Sequence, residues 1–94
     1  MKSILQDDKR CYICGNIYNL HMHHIYGGGN RRISENNGFK VWLCALHHNM
    51  SNQGVRFNRE ADLRLKRICQ KEYEKTHTRT EFFKLIGKNF LEEK

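Results

Sequence analysis

The sequence has 94 residues, enough for the single domain that we expect over 1–94, and its 38% hydrophobic residues exclude a disordered chain. No apolar run approaches the roughly 18 residues that cross a bilayer, and no secretory signal opens the chain, so we expect a soluble, cytoplasmic protein without a membrane partner. The formal net charge of +7 favours a nucleic-acid partner, although solubility alone would also explain it.

A β-hairpin followed by a short helix is predicted in the first half of the chain. Apolar and polar residues alternate over Leu20–Tyr26 and again over Phe39–Cys44, which is typical of strands. The connection over 27–38, GGGNRRISENNG, predicts a long functional loop that lies near the substrate. After it, Ala45–Ser51 has neither Gly nor Pro and predicts a short helix.

Two helices are predicted in the second half of the chain. Arg59–Lys75 has apolar residues at helical spacing, and Asn58 before it is a suitable N-cap. The apolar positions are Ala61, Leu65, Ile68, Cys69 and Tyr73. Thr80 can cap a final short helix over Glu81–Ile86, which Gly87 would end.

Basic residues form a stripe along the longer predicted helix. Its members are Arg64, Arg67, Lys71 and Lys75. Their i, i+3, i+7, i+11 spacing places them on one helix face, where they could follow a phosphate backbone. The alternative is a solvated face with pairs such as Asp62 with Lys66. The candidate nucleic-acid-binding residues are Arg31, Arg32, Arg56, Arg64, Arg67 and Lys71.

Two short motifs predict a structural zinc site. The pairs Cys11-x-x-Cys14 and Cys44-x-x-His47 each bring two ligands within reach of one ion, and zinc takes four. In a reducing compartment such cysteines favour metal over disulfides, and metal binding would stabilise a small core. The alternative is that they are buried apolar residues. Cys69, on the apolar face of the longer helix, is predicted to be a core residue.

Histidines concentrate around the two predicted strands. Five of the six, at positions 21, 23, 24, 47 and 48, lie between the start of the first strand and the end of the predicted short helix. Cys-x-x-Cys, a strand ending in His-His-Ile, a Gly-rich segment and Leu-Cys-x-x-His-His follow in that order, and residues 11–50 thereby resemble the HNH nuclease family. Residues 54–74, GVRFNREADLRLKRICQKEYE, look like the C-terminal part of small phage and prophage HNH-like proteins.

The resemblance implies a particular architecture and activity. The fold would be α+β, with a ββα-metal (HNH) motif and zinc knuckle at 11–50, then a helical extension at 58–94 made of a long helix and a short final one. The activity would be metal-dependent cutting or nicking of DNA. A phage or prophage would encode the protein, which would act in the bacterial cytoplasm beside recombination or packaging proteins.

The resemblance also implies roles for individual residues. His24 would be the general base, His23 and His48 would bind a catalytic divalent metal, and Asn37 would stand nearest to the family's middle asparagine. An imidazole pKa of about 6.5 suits a base that works near pH 7. Nitrogen ligands suit Mn²⁺, Ni²⁺ or Zn²⁺ better than Mg²⁺. Since neighbouring strand residues face opposite ways, His23 could instead be the base and His24 a ligand.

Two other functions fit the same residues. A non-catalytic zinc-ribbon-like module would use the cysteines for structure and the basic residues for binding nucleic acid. An accessory factor would use the long helix to bind a partner protein. Histidines that remain after the zinc ligands are assigned favour catalysis, although His21 fits an ordinary surface residue or an extra zinc ligand.

Overall fold

The computed structural model describes residues 2–50, 54–55 and 58–91. Its elements in chain order are β1 (Leu20–His24), α1 (Arg31–Asn37), β2 (Lys40–Cys44), α2 (Arg59–Tyr73) and α3 (Arg79–Ile86). A 3₁₀ turn at Gly28–Asn30 precedes α1, and a π-helical turn at Leu46–Met50 follows β2. These elements confirm the predicted α+β class. Within the described ranges, no helix has the length and apolar character needed to cross a membrane.

The two strands form an antiparallel hairpin, as the alternation predicts. His24, the last residue of β1, lies opposite Lys40, the first residue of β2. Both strands are slightly shorter than predicted: β1 ends at His24 and does not reach Tyr26, and β2 begins at Lys40 and does not include Phe39. Backbone pairing still continues beyond them, since the N–H of Ile25 donates to the carbonyl of Phe39 at 2.9 Å.

The connection between the strands contains a helix. The prediction of a loop over 27–38 is wrong, because α1 occupies more than half of this segment. Ser34 attaches α1 to the hairpin: its hydroxyl donates to the carbonyl of Tyr26 at 2.7 Å and accepts from the N–H of Tyr26 at 3.1 Å. Gly38 ends α1 with φ 74°, and a Cβ there would lie 2.2 Å from the carbonyl oxygen of Lys2. Both the positive φ and this close approach require glycine.

An aromatic cluster joins the hairpin to the two C-terminal helices. Phe39 and Phe82 are fully buried, and the ring of Tyr26 packs edge-on against each at a centroid distance of 5.4 Å. Tyr73 of α2 packs edge-on against Phe39. The hydroxyl of Tyr26 donates to the carbonyl of Lys66 at 2.6 Å, which satisfies the polar end of a buried ring. Because Tyr26 follows β1 closely, this contact holds α2 beside the end of that strand.

The N-cap and apolar face of α2 agree with the sequence prediction. The side chain of Asn58 accepts a hydrogen bond from the N–H of Ala61 at 3.1 Å. Cys69 and Tyr73 on the predicted apolar face are buried. The helix ends at Tyr73 rather than at Lys75.

The N-cap of α3 is Thr78, so the prediction that Thr80 caps this helix is wrong. The hydroxyl of Thr78 accepts from the N–H of Glu81 at 3.1 Å, and the carboxylate of Glu81 accepts from the N–H of Thr78 at 2.8 Å. This reciprocal capping box needs an acid or amide three residues after the cap. Phe83 occupies that place relative to Thr80 and cannot complete it. Gly87 ends α3 with φ 87°, as predicted.

Candidate functional site

The residues predicted to bind zinc lie together in one cluster. Cys11, Cys14, Cys44 and His47 each offer one ligand atom, and these atoms all lie within 4.8 Å of one another. Within this Cys3His cluster, Sγ of Cys44 is 3.3 Å from Nδ1 of His47 and 3.7 Å from Sγ of Cys14. Three thiols and one imidazole are an established donor set for tetrahedral zinc, so the cluster could hold a zinc ion.

Two turns bring the members of the Cys3His cluster together. The first turn contains Cys11 and Cys14. It is closed by a hydrogen bond of 2.8 Å from the N–H of Gly15, a residue with φ 79°, to the carbonyl of Cys11. Cys44 ends β2, and His47 lies in the π-helical turn that follows. The N–H of Tyr12 donates to the carbonyl of Trp42 at 2.8 Å, which holds the first turn against β2.

Within the cluster, the sulfur of buried Cys11 has an environment that favours the thiolate. Burial raises the pKa of Cys11, but backbone hydrogen bonds, the largest from Cys44, outweigh burial and lower that pKa to about 6. At exposed Cys14 the balance is reversed: a backbone hydrogen bond at Asn16 lowers its pKa, but partial desolvation and the neighbouring sulfurs raise it. Because the thiolate is the metal-binding form, Cys11 is poised to act as a ligand.

Cys69 lies in a different environment. It is fully buried in the hydrophobic core on α2, outside the Cys3His cluster. Burial raises the pKa of Cys69 to about 12. The prediction that this cysteine is a core residue is confirmed.

An open cleft of about 410 Å³ lies at the end of β1. Its charged and imidazole side chains, which define what we call the histidine cleft, are His23, His24, Arg31, His48, Asp62 and Lys66. β1, α1, the π-helical turn and α2 all contribute to it. The three histidines for which the sequence predicts catalytic roles therefore line one cleft.

The π-helical turn places its two histidines in different sites. His47 belongs to the Cys3His cluster, whereas adjacent His48 lines the histidine cleft. There the ring of His48 meets that of His23 edge-on, with centroids 5.4 Å apart. The ring of exposed His21 stacks on that of His48 with centroids 5.3 Å apart, and His21 is not a member of the Cys3His cluster.

One ring nitrogen of His23 has the properties of a ligand atom. Its Nε2 is buried and has no hydrogen-bond partner among the described residues. Burial is the largest cause, and proximity to His48 the next, of a lowering of the pKa of His23 to about 4. The ring is therefore neutral at pH 7. A buried polar atom without a partner is costly, and a bound cation would remove that cost.

His24 is held by an acidic residue that the sequence did not single out. Nε2 of His24 lies 2.7 Å from Oε1 of Glu35, and Nζ of Lys40 lies 2.5 Å from Oε2 of the same carboxylate. Glu35 is one helical turn after Arg31, so both side chains of α1 point toward His24. Hydrogen bonds from Lys40 and from His24 lower the pKa of Glu35 to about 2.

A second pair of charged residues reaches the histidine cleft from α2. Asp62 and Lys66 form an ion pair of 2.8 Å, and both residues line the cleft. The sequence indicated this pair only as an i, i+4 contact on a solvated face. In the fold, the ion pair lines the cleft, because the hydrogen bond between Tyr26 and the backbone of α2 holds that helix at the end of β1.

The candidate nucleic-acid-binding residues fall on different surfaces. Arg31 lines the histidine cleft, and both Arg31 and Arg32 line an adjoining groove beside His24. Exposed residues of the α2 stripe, such as Arg64 and Lys71, lie roughly 140–180° around the helix axis from Asp62. They face away from the cleft. Arg56 lies outside the described residues.

Asn37 does not occupy the place next to His24. It is the last residue of α1, and its side-chain amide donates to the carbonyl of Ile33 at 2.9 Å within that helix. Glu35, not Asn37, is the α1 residue in contact with His24. A spacing rule along the chain did not identify this contact, because the helix between the strands was not predicted.

The combined arrangement offers a cluster that could bind zinc, and a cleft that is lined by three imidazoles and by cationic side chains. Imidazole can accept a proton or bind a metal, and Arg and Lys can bind phosphate oxygens. Searches of protein-family models, curated proteins and solved structures find no match to this chain.

Proposed function

We propose that this protein is a metal-dependent DNA endonuclease of the HNH (ββα-metal) type. The observation that carries the proposal is the histidine cleft itself, in which His23, His24 and His48 meet beside cationic side chains. Further support comes from the Cys3His cluster, which uses His47 and leaves the three cleft histidines for chemistry. A purely structural zinc module has no need of them.

His24 serves as the general base in this proposal. Its Nε2 is engaged by Glu35, so the other ring nitrogen is the one that accepts a proton from a water molecule. The water then attacks the phosphorus of a phosphodiester, and the bond to the leaving oxygen breaks. Arg31 and Lys66 at the cleft lining bind the phosphate oxygens and hold the DNA strand near His24.

His23 and His48 would hold a divalent cation in the same cleft. The unpartnered, buried Nε2 of His23 fits this role, and imidazole donors fit Mn²⁺, Ni²⁺ or Zn²⁺ better than Mg²⁺. When bound, such a cation supplies charge neutralisation at the phosphate and the leaving oxygen. The Cys3His cluster would hold a separate, structural zinc ion.

The test is plasmid nicking by the zinc-loaded protein in Mg²⁺, Mn²⁺ or Ni²⁺, with and without chelator. We expect the wild type to relax supercoiled DNA. His24→Ala should reduce the rate by about 10²–10⁴-fold, because the water loses its proton acceptor. His77→Ala is the matched control, because His77 does not line the cleft. Its ring instead stacks on that of Tyr73, with centroids 4.0 Å apart. This variant should cleave at the wild-type rate.

Three outcomes would contradict the assignment in different ways. Wild-type protein that binds DNA but never cuts it with any of these ions would indicate the zinc-ribbon-like binding module. Full activity of His24→Ala with an inactive His23→Ala would exchange the roles of the two residues. If His48→Ala stays inactive in excess metal while retaining zinc, His48 does more than bind the second cation.

A further inference from the structure

A side chain of α1 contacts the ring of His24 on β1 and can hold that ring in one orientation. Nε2 of His24 and Oε1 of Glu35 are 2.7 Å apart, and the His24 side chain is only 15% exposed. The second oxygen of Glu35 contacts Nζ of Lys40, which lies opposite His24 in the hairpin. A lysine, a glutamate and a histidine from three consecutive elements thus form one chain of contacts.

The protonation states in this chain follow from the chemistry of its members. Hydrogen bonds from Lys40 and His24 hold the pKa of Glu35 at about 2, so its carboxylate is ionised at neutral pH. An ionised carboxylate only accepts hydrogen bonds. The nitrogen of His24 that faces it must therefore carry a proton, and in a neutral imidazole the other nitrogen, Nδ1, carries a lone pair.

We propose that Glu35 is the positioning residue of His24: it selects the tautomer protonated at Nε2 and fixes the ring so that Nδ1 is the proton acceptor. This role deepens, and rests on, the proposed function of His24 as a general base. A base in the wrong tautomer presents an N–H to the water and cannot remove its proton. Lys40, itself mostly buried, holds Glu35 in place through the second oxygen.

The hydrogen bond spans residues that only α1 brings together. Glu35 lies in the segment attached to the end of β1 through Ser34. Asn37, which the family resemblance implied for this region, instead bonds within α1. Glu35 therefore makes the contact with His24 that the side-chain amide of Asn37 does not make in this fold.

The tautomer can be read directly by long-range ¹H–¹⁵N correlation spectra of histidine-labelled, zinc-loaded protein, recorded about one pH unit above the ordinary histidine pKa of about 6.5. In the wild type, we expect His24 to have a protonated Nε2 and an unprotonated Nδ1. Glu35→Ala should mix the tautomers and lower kcat about 10–100-fold, with KM changed less than about twofold. Glu35→Gln keeps an accepting oxygen and should restore part of kcat.

The matched control is Glu72→Gln. Glu72 is a partly exposed carboxylate paired with Lys75 at 3.0 Å on α2, so its loss removes a similar ion pair elsewhere. It should alter neither the His24 spectrum nor kcat. Thermal melts of all variants separate loss of positioning from loss of fold.

Two spectral results would overturn the role of Glu35. One is a wild-type His24 protonated at Nδ1, and the other is a Glu35→Ala spectrum identical to that of the wild type. A wild type that cleaves no DNA defeats the proposed function, but the tautomer comparison still decides whether Glu35 fixes the ring of His24.

Discussion

At the scale of single residues, two buried cysteines have opposite surroundings. Cys44 is 3% exposed, and its sulfur lies beside Cys14 and His47 in a cluster of ligand atoms. Cys69 is also fully buried, but hydrophobic residues surround it and its pKa is raised to about 12. Burial therefore does not separate a ligand from a core thiol. The neighbouring donor atoms do.

Serine substitution at these two positions should have different consequences. Cys44→Ser should abolish zinc binding and unfold the protein, because structural zinc contributes about 10–16 kcal/mol, as much as the whole stability of a small domain. Cys69→Ser should retain stoichiometric zinc and lose only part of its stability. Metal analysis with circular dichroism measures both. A folded, zinc-free Cys44→Ser would show that the cluster does not stabilise the fold.

At the scale of secondary structure, the cap of α3 is decided by a pair of residues. Thr78 and Glu81 exchange hydrogen bonds, whereas Thr80 lies inside the first turn. The hydrogen bond from the backbone N–H of Thr78 is the largest cause of a lowered pKa of Glu81. The pKa of Glu81 in the folded state therefore lies below its unfolded value of about 4.3. The stabilisation of the fold by ionised Glu81 is fully present above pH 4.3 and is lost as the pH falls through the folded pKa.

Removing the cap should lower the free energy of unfolding at neutral pH. We expect Thr78→Ala to cost about 1 kcal/mol, because an N–H at the start of α3 loses its acceptor. Thr80→Ala replaces an exposed side chain of the same type and should change stability by less than about 0.5 kcal/mol. Urea unfolding of both variants gives the comparison, and equal losses would contradict the assigned cap.

At the scale of the whole molecule, four of the basic side chains predicted to bind nucleic acid lie on two different surfaces. Arg31 and Arg32 lie on α1 beside His24, while Arg64 and Lys71 lie on the far side of α2 from the cleft. The net charge of +7 is a property of the whole chain and does not show on which surface the basic side chains lie. If DNA enters the histidine cleft as proposed, the α1 surface contacts its phosphates first.

Two double variants with the same loss of charge can separate these surfaces. Arg31→Ala/Arg32→Ala should weaken DNA binding and reduce the slope of log K against log salt by about one unit per lost phosphate contact. Arg64→Ala/Lys71→Ala should change the slope less, because these side chains face away from the cleft. Binding titrations at several salt concentrations measure both slopes. Equal changes would mean that DNA contacts both surfaces or that only net charge matters.

Features that depend on neighbours along the chain could be predicted from the amino-acid sequence. The Cys-x-x-Cys and Cys-x-x-His spacings predicted the Cys3His cluster, because each pair closes within one turn and four donors of these types suit zinc. Alternation predicted the hairpin, and Asn58 with the apolar spacing after it predicted α2. These signals are local, so they survive without knowledge of the fold.

Which side chains share the histidine cleft could not be predicted in this way, because it depends on how distant segments pack together. Residues 27–38 are polar and rich in Gly and Asn, so no periodicity indicated α1, and Glu35 could not be assigned to His24 from spacing. Lys66 reaches the cleft because Tyr26 and its aromatic neighbours hold α2 against the hairpin. Contacts between distant segments depend on packing and strand register, and one residue of slip would turn His24 to the opposite face of the sheet.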